Sequence, residues 1–266
     1  MSLFLSRLGR GVEVLKVDAN GLIAFNKPNG ILSHPNETAK SQSLSLINAN
    51  YDIRNERYII EDQFLRESVH LLHRLDAATS GVILATTNEE LANILKRLFK
   101  TRNIAKEYQA MVFGKLHKAQ FPNFVPWEDD LHIKKEMNTV RTQAPRTNNK
   151  RWNSAASGRA ITEVSVLSEA IDIDLVSTLL LRPKTGFSHQ LRYQCSSRGL
   201  PIIGDEIYGD FQKNRAYVRN NRLPKCMLLH AQKVRFSYRL NEKDFEFSAE
   251  APLPLAFRRT SNKALK

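Results

Sequence analysis

The sequence predicts an α+β fold with a mixed, largely antiparallel central sheet and flanking helices. Two observations carry that expectation. Segments with strand and helix periods are interspersed without the regular strand-helix-strand cadence of a parallel sheet. Towards the end of the chain, Val234, Phe236 and Tyr238 alternate with Lys233, Arg235 and Arg239, and Phe245 and Phe247 repeat the pattern, as in an antiparallel hairpin with one wet face. A third observation bounds the answer. With 266 residues, 42% of them hydrophobic, the chain can bury a substantial core, which argues against disorder. It contains no run of about eighteen apolar residues that could span a bilayer, so no membrane partner is expected.

The elements follow in order. Residues 1–11 carry Arg7 and Arg10 with no acid before Glu13. That composition is compatible with a short mitochondrial presequence, and equally with an arm preceding the first strand. Leu22 to Phe25 reads as a strand running into the turn Asn26-Lys27-Pro28-Asn29-Gly30, where proline fixes φ and glycine permits positive φ. The polar stretch to about Asn50 reads as loop. Val82 to Ala85 is a buried strand. In Asn88 to Lys100, Leu91, Ile94, Leu95, Leu98 and Phe99 recur with the period of a helix packed on one face, and Glu107 to Phe113 is a strand. The segment around 131–159 holds seven Lys or Arg and one Glu and shows no sustained period, which marks a basic, partly mobile insertion. Ile161 to Val166 and Leu175 to Leu181 read as strands, and Ser188 to Ser197 as a helix. Residues 12–266 are expected to form a single domain.

The charge balance favours a polyanionic partner. Forty Lys plus Arg stand against 27 Asp plus Glu, a formal +13 with pI near 9.8. Three basic runs are candidate contact surfaces: Lys96 to Lys106 (Lys96, Arg97, Lys100, Arg102, Lys106), Leu131 to Arg159, and Phe211 to Lys225. Any one of them alone could be a merely solvated face. Cys195 and Cys226 lack metal-ligand spacing and give no disulfide framework, which suits a reducing compartment.

The most informative segment is His73-Arg74-Leu75-Asp76-Ala77-Ala78-Thr79-Ser80-Gly81. It places one carboxylate beside a permanent cation, just before buried backbone, where an uncompensated charge is costly. Taken alone, Asp76 could be a helix cap or an ion-pair partner of Arg74. The segment, however, resembles the active-site motif of the RluA-type RNA pseudouridine synthases, whose single essential aspartate rearranges a uridine in folded RNA. Four further stretches fit the same family in order and spacing: Asn26-Lys27-Pro28-x-Gly30, Thr185-Gly186-Phe187-Ser188-His189-Gln190-Leu191-Arg192, Gly199-Leu200-Pro201-Ile202-x-Gly204-Asp205-x-x-Tyr208-Gly209, and Leu228-Leu229-His230-Ala231.

The resemblance implies a pseudouridine synthase-like catalytic fold and assigns roles. Asp76, Tyr108 and Arg192 would be the catalytic set: the acid, the tyrosine that packs on the target uracil, and the arginine that pairs with the acid and keeps it ionised. Arg74 would enter the space left by the flipped nucleotide, and Lys96, Arg97, Lys100 and Arg102 would contact RNA phosphates. His73 and His189 read as hydrogen-bonding scaffold, and the remaining motifs as architectural. No cofactor and no metal is needed, and a monomer is expected. Phe187 stands where the family usually has arginine, and no S4-type RNA-binding domain is expected in front. An inactive RNA-binding assembly factor of the same fold is the main rival reading; a retaining glycosidase would need a second carboxylate that the motifs do not offer. Ribosomal RNA of the large subunit, in a mitochondrion, is the expected substrate. Transfer RNA is the alternative, as are cytoplasm or nucleus for location.

Overall fold

The computed structural model describes residues 3–36, 43–136, 139–143, 157–169 and 175–261. Its elements in the first part of the chain are β1 (Glu13–Val17), β2 (Leu22–Lys27), β3 (Asn50–Asp52), β4 (Arg57–Glu61), β5 (Arg66–Leu71), β6 (Ser80–Thr86), α1 (Glu89–Lys100) and β7 (Ala105–Phe113). There follow β8 (Val125–Glu136), β9 (Thr139–Gln143), β10 (Ser157–Ser168), β11 (Val176–Pro183), α2 (Gln190–Ser197), α3 (Phe211–Asn221), β12 (Leu229–Leu240), β13 (Lys243–Glu250) and α4 (Leu255–Ser261). They form two compact units, one of Met1–Lys106 with His230–Leu253, the other of Glu107–Leu229 with Pro254–Lys266.

In the first unit every residue of β6 is buried, as its unbroken run Val82-Ile83-Leu84-Ala85 requires. This strand pairs antiparallel with β2 and β5 and parallel with β12, while β12 pairs antiparallel with β13, so the sheet is mixed. Gly81, at φ +110°, lies against the backbone of Ala231, and a Cβ there would collide with that carbonyl. The close approach explains why the segment around Asp76 ends in glycine and links it to the Leu228-Leu229-His230-Ala231 stretch. The link is reinforced by Ser80 Oγ, 2.9 Å from His230 Nδ1. Helix α1 starts where Asn88 accepts the Leu91 N–H, carries Glu89 and Glu90 in its first turn and Arg97 and Lys100 in its last, and packs Leu91, Ala92 and Leu95 into a core shared with β2, β6, β12 and β13.

The second unit is an antiparallel sheet in the order β7-β11-β10-β8-β9. The expectation of an insertion without period over 131–159 needs correcting. Leu131 to Glu136 continue β8, Thr139 to Gln143 form β9, and Ser157 to Arg159 open β10, while 144–156 lie outside the described residues. Strand β8 pairs with β10 along Val125 to His132 and with β9 along His132 to Glu136. Main-chain pairing of this kind tolerates polar side chains, so the strands leave no apolar alternation in the sequence. Strands β3, β4 and β5 likewise form where no strand was expected. The basic run from Phe211 is helical over α3, which Asp210 caps by accepting the Lys213 N–H. Both cysteines are free, Cys195 buried and Cys226 partly so.

Candidate active site

Asp76 occupies the turn between β5 and β6, where its carbonyl accepts the Thr79 N–H at 3.0 Å. A buried lysine, a backbone N–H and two neutral side chains fix this turn from the end of β2 and the strap that follows it. The Lys27 ammonium, fully buried, donates to the carbonyls of Pro28 (3.2 Å), Ile31 (2.7 Å) and Ala77 (3.1 Å). Gly30 N–H donates to the same Ala77 carbonyl at 2.8 Å, and Asn29 Nδ2 donates to the carbonyl of Ala78. On the other side of Asp76, Ser33 Oγ donates to the Leu75 carbonyl (2.7 Å) and accepts the Leu75 N–H (2.9 Å). The Asn26-Lys27-Pro28-x-Gly30 stretch, read from sequence as architecture, is therefore the clamp on the candidate acid. Burial pushes the Lys27 pKa down to about 7 against the opposing pull of Asp76. Sequence reasoning missed Lys27 and Ser33. The available signal was a lysine ending an apolar strand beside a Pro-x-Gly turn.

His73 is scaffold. Its Nε2 accepts the Leu84 N–H at 3.1 Å and its ring lies on Phe99, centroids 4.7 Å apart. Burial and the Lys106 charge push its pKa down to about 3, so a neutral ring suits the acceptor role. Of the basic residues expected to meet RNA, Arg74, Arg97, Lys100 and Arg102 are exposed. Lys96 is engaged within the protein, 3.0 Å from Glu56 and 3.3 Å from the Asn55 carbonyl.

Tyr108 and Arg192 belong to the second unit, whereas Asp76, Arg74 and the α1 cations belong to the first. Tyr108 is half-buried on β7, opposite Leu181 of β11. Arg192, on the first turn of α2, is buried and held by Asp205 through a fork: Nε to Oδ2 at 2.7 Å and Nη2 to Oδ1 at 2.8 Å. Asp205 also accepts the N–H groups of Ile207 (2.8 Å) and Tyr208 (3.0 Å). Burial alone would raise its pKa, but Arg192 and the two N–H groups hold it below the usual carboxylate range. The Tyr208 ring faces the guanidinium at 5.3 Å, and its hydroxyl accepts the Thr142 N–H (2.8 Å) and lies 3.1 Å from His189 Nδ1. The Gly204-Asp205-x-x-Tyr208-Gly209 stretch thus orients Arg192, a function that its expected architectural role understated. Phe187 points its ring edge at Gly158 of β10, where a Cβ would stand 3.1 Å from Cζ. Where an arginine would offer a charge, this chain packs a ring on backbone.

The fold is shared with solved proteins. "Human RNA Pseudouridylate Synthase Domain Containing 4" superposes with a TM-score of 0.63 at 21% identity, covering 95% of this chain and 92% of that one. A family model described as RNA pseudouridylate synthase matches residues 21–197, and the chain belongs to that family. Pseudouridylation of RNA is the activity this membership gives it. The dual-specificity RNA pseudouridine synthase RluA of Haemophilus influenzae is 30% identical over 236 residues, 87% of this chain and 90% of that protein. The tRNA pseudouridine synthase C of Pasteurella multocida is 27% identical over 240 residues, 90% of each chain. The ribosomal large subunit pseudouridine synthase D of Borreliella burgdorferi is 29% identical over 200 residues, 74% of this chain but 55% of that longer protein.

Proposed function

We propose that Asp76 is the single catalytic carboxylate with which this enzyme converts specific uridines of structured RNA to pseudouridine. The observation that carries the assignment is the clamp. Five hydrogen bonds from or to Lys27, Asn29, Gly30 and Ser33 fix the backbone on both sides of this one acid. A reacting group gains most from being held where the substrate will arrive. In the reaction the N1–C1′ bond of the flipped uridine breaks, the uracil turns, C5 bonds to C1′, the C5 proton leaves and N1 takes up a proton, so the nucleotide's formula is unchanged. Asp76 serves as nucleophile at the sugar or as base. Tyr108 supports the uracil, Arg192 favours the ionised acid, Arg74 enters the vacated stack, and Arg97, Lys100 and Arg102 meet phosphates, while Lys96 stays committed to Glu56. The reading takes the enzyme as a monomer.

The proposed substrate is large-subunit ribosomal RNA, in a mitochondrion. Support comes from the basic, acid-poor residues 1–11 and from a relative named for the ribosomal large subunit. Transfer RNA is the second reading, favoured by relatives named for tRNA and for dual specificity. Tritium release from RNA labelled at uracil C5 tests the catalytic assignment: release by the wild type and at least a thousandfold slower release by Asp76→Ala are expected, about 4 kcal/mol of barrier. Equal release by the two proteins refutes it. Chemical mapping of pseudouridine in organellar and cytosolic RNA, with and without the gene, tests the substrate; an unchanged mitochondrial ribosomal RNA rejects the first choice.

A further inference from the structure

Three aromatic rings in the first unit form a connected column beside the clamp on Asp76. Tyr58 is fully buried and its hydroxyl donates to the Ser33 carbonyl at 2.6 Å. Tyr51 meets it edge-on, centroids 4.9 Å apart, and His34 stacks on Tyr51 at 4.7 Å with the ring planes 8° from parallel. Both outer rings are half-buried. The His34 ring is further fixed by Nδ1, 2.9 Å from the Pro35 carbonyl. His34 directly follows Ser33, whose hydroxyl grips Leu75, the residue between Arg74 and Asp76. The column and the candidate acid are therefore parts of one hydrogen-bonded assembly.

Charge completes the picture. Burial and Glu56 push the Tyr51 phenol pKa up, and the guanidinium of Arg74 lies close enough to oppose that rise. Glu56 is neutralised by Lys96 and Asp52 lies 3.6 Å from Arg57. Arg74 itself is exposed and takes part in no ion pair among the described residues. A fixed flat ring stacked on Tyr51, with an exposed guanidinium whose charge reaches that tyrosine, is a combination that can bind one nucleotide of a single strand: a π-face for the base and a cation for the phosphate.

We infer that His34, Tyr51 and Arg74 form a subsite for an unpaired nucleotide flanking the uridine that reacts at Asp76. The inference rests on the reading above in taking RNA as the ligand and Asp76 as the reacting acid, and it gives Arg74 a phosphate contact instead of entry into the vacated stack. The base lies on His34, whose orientation Tyr51 and Pro35 set, and its phosphate meets Arg74. Such stacking accepts any base, so the subsite selects looped over paired RNA rather than a sequence.

The test compares the affinity of the full-length protein for a fluorescently labelled RNA stem-loop with that for the same sequence annealed into a full duplex. Wild type is expected to prefer the stem-loop. His34→Ala is expected to lose about tenfold in stem-loop affinity, with little change on duplex, and His34→Phe, which keeps the ring, to restore it. In tritium-release assays the His34→Ala loss falls in KM rather than kcat. Equal weakening by His34→Phe and His34→Ala, or wild-type stem-loop affinity and KM for both His34→Ala and Tyr51→Ala, overturns the subsite. Absence of tritium release from the wild type would strike the catalytic reading instead, since the binding comparison needs no turnover.

Discussion

Asp76 and Arg192, the two residues of opposite charge on which the proposed chemistry depends, are held by opposite means. In the first unit it is the backbone around Asp76 that is fixed, by Lys27, Asn29, Gly30 and Ser33. In the second it is the Arg192 side chain itself, gripped in a fork by the carboxylate of Asp205, which two further N–H groups hold. The difference matches what each residue is asked to do. A carboxylate that must react with a sugar gains from a turn whose backbone is fixed. An arginine that only orients and supplies charge can be committed to a buried counter-ion. The comparison separates two kinds of damage. Breaking the Arg192 grip strands a buried charge, whereas loosening the Asp76 turn removes hydrogen bonds and misplaces one group.

The largest expected effect on stability is therefore that of Asp205→Ala. Losing one partner of a buried pair typically costs about 3–5 kcal/mol, because the other charge stays buried and loses the fork of hydrogen bonds that held it. Urea unfolding followed by circular dichroism measures it, and a loss below about 1 kcal/mol would show that solvent reaches Arg192. The acid dependence has a definite sign. The folded-state pKa of Asp205 lies below its unfolded value, so its contribution is fully present above the unfolded value near 4 and is lost as pH falls through the folded one. The variant should accordingly lose the part of the acid limb of unfolding that this residue supplies.

Ser33→Ala attacks the other kind of support and should cost less. It leaves the Leu75 N–H and carbonyl without their partner in a buried place, a penalty of about 1–3 kcal/mol. Turnover at saturating RNA should fall by more than the unfolded fraction accounts for, since Asp76 is the next residue. A variant that loses stability in unfolding assays but turns over at the wild-type rate would mean the turn is fixed well enough by Lys27, Asn29 and Gly30.

How far these arrangements were legible in the sequence differs between the units in the same way. The buried strand β6 and helix α1 were visible because one is apolar throughout and the other repeats with helical period. Strands β8 and β9 were not, because paired backbone holds residues such as Lys134 and Lys135 in a sheet that their side chains do not announce. Asp76, Tyr108 and Arg192 stood out through motif resemblance. Their supports did not: Lys27 meets the Asp76 turn 50 residues along the chain, and Asp205 meets Arg192 across a helix end, separations that a local pattern does not encode. The glycine at 81 was readable as part of a motif, but its reason, the Ala231 carbonyl against it, lies 150 residues away.

Lys27→Met is expected to change stability at neutral pH least and to be the sharpest test of the contrast. Burial lowers the Lys27 pKa to about 7, so the fold disfavours the charged form relative to the unfolded chain, where the value is near 10.4. That cost is fully present below pH about 7 and is relieved as pH rises towards 10.4, because over this window the unfolded state binds more protons. The stability of the wild type relative to Lys27→Met should therefore climb through the window, by at most about 1.4 kcal/mol per pH unit. Near pH 7 the hydrogen bonds to Pro28, Ile31 and Ala77 offset the burial of the ammonium, and methionine, apolar and of similar length, should fold about as well. Turnover should still fall, because the Ala77 carbonyl loses one of the two donors that pin the residue after Asp76. Unfolding of both proteins across the pH series, with tritium release at pH 7, separates these effects. A pH-independent difference in stability would mean that three carbonyls and Asp76 keep the lysine charged throughout, and an unimpaired Lys27→Met enzyme would mean that the turn needs no cation to hold its acid.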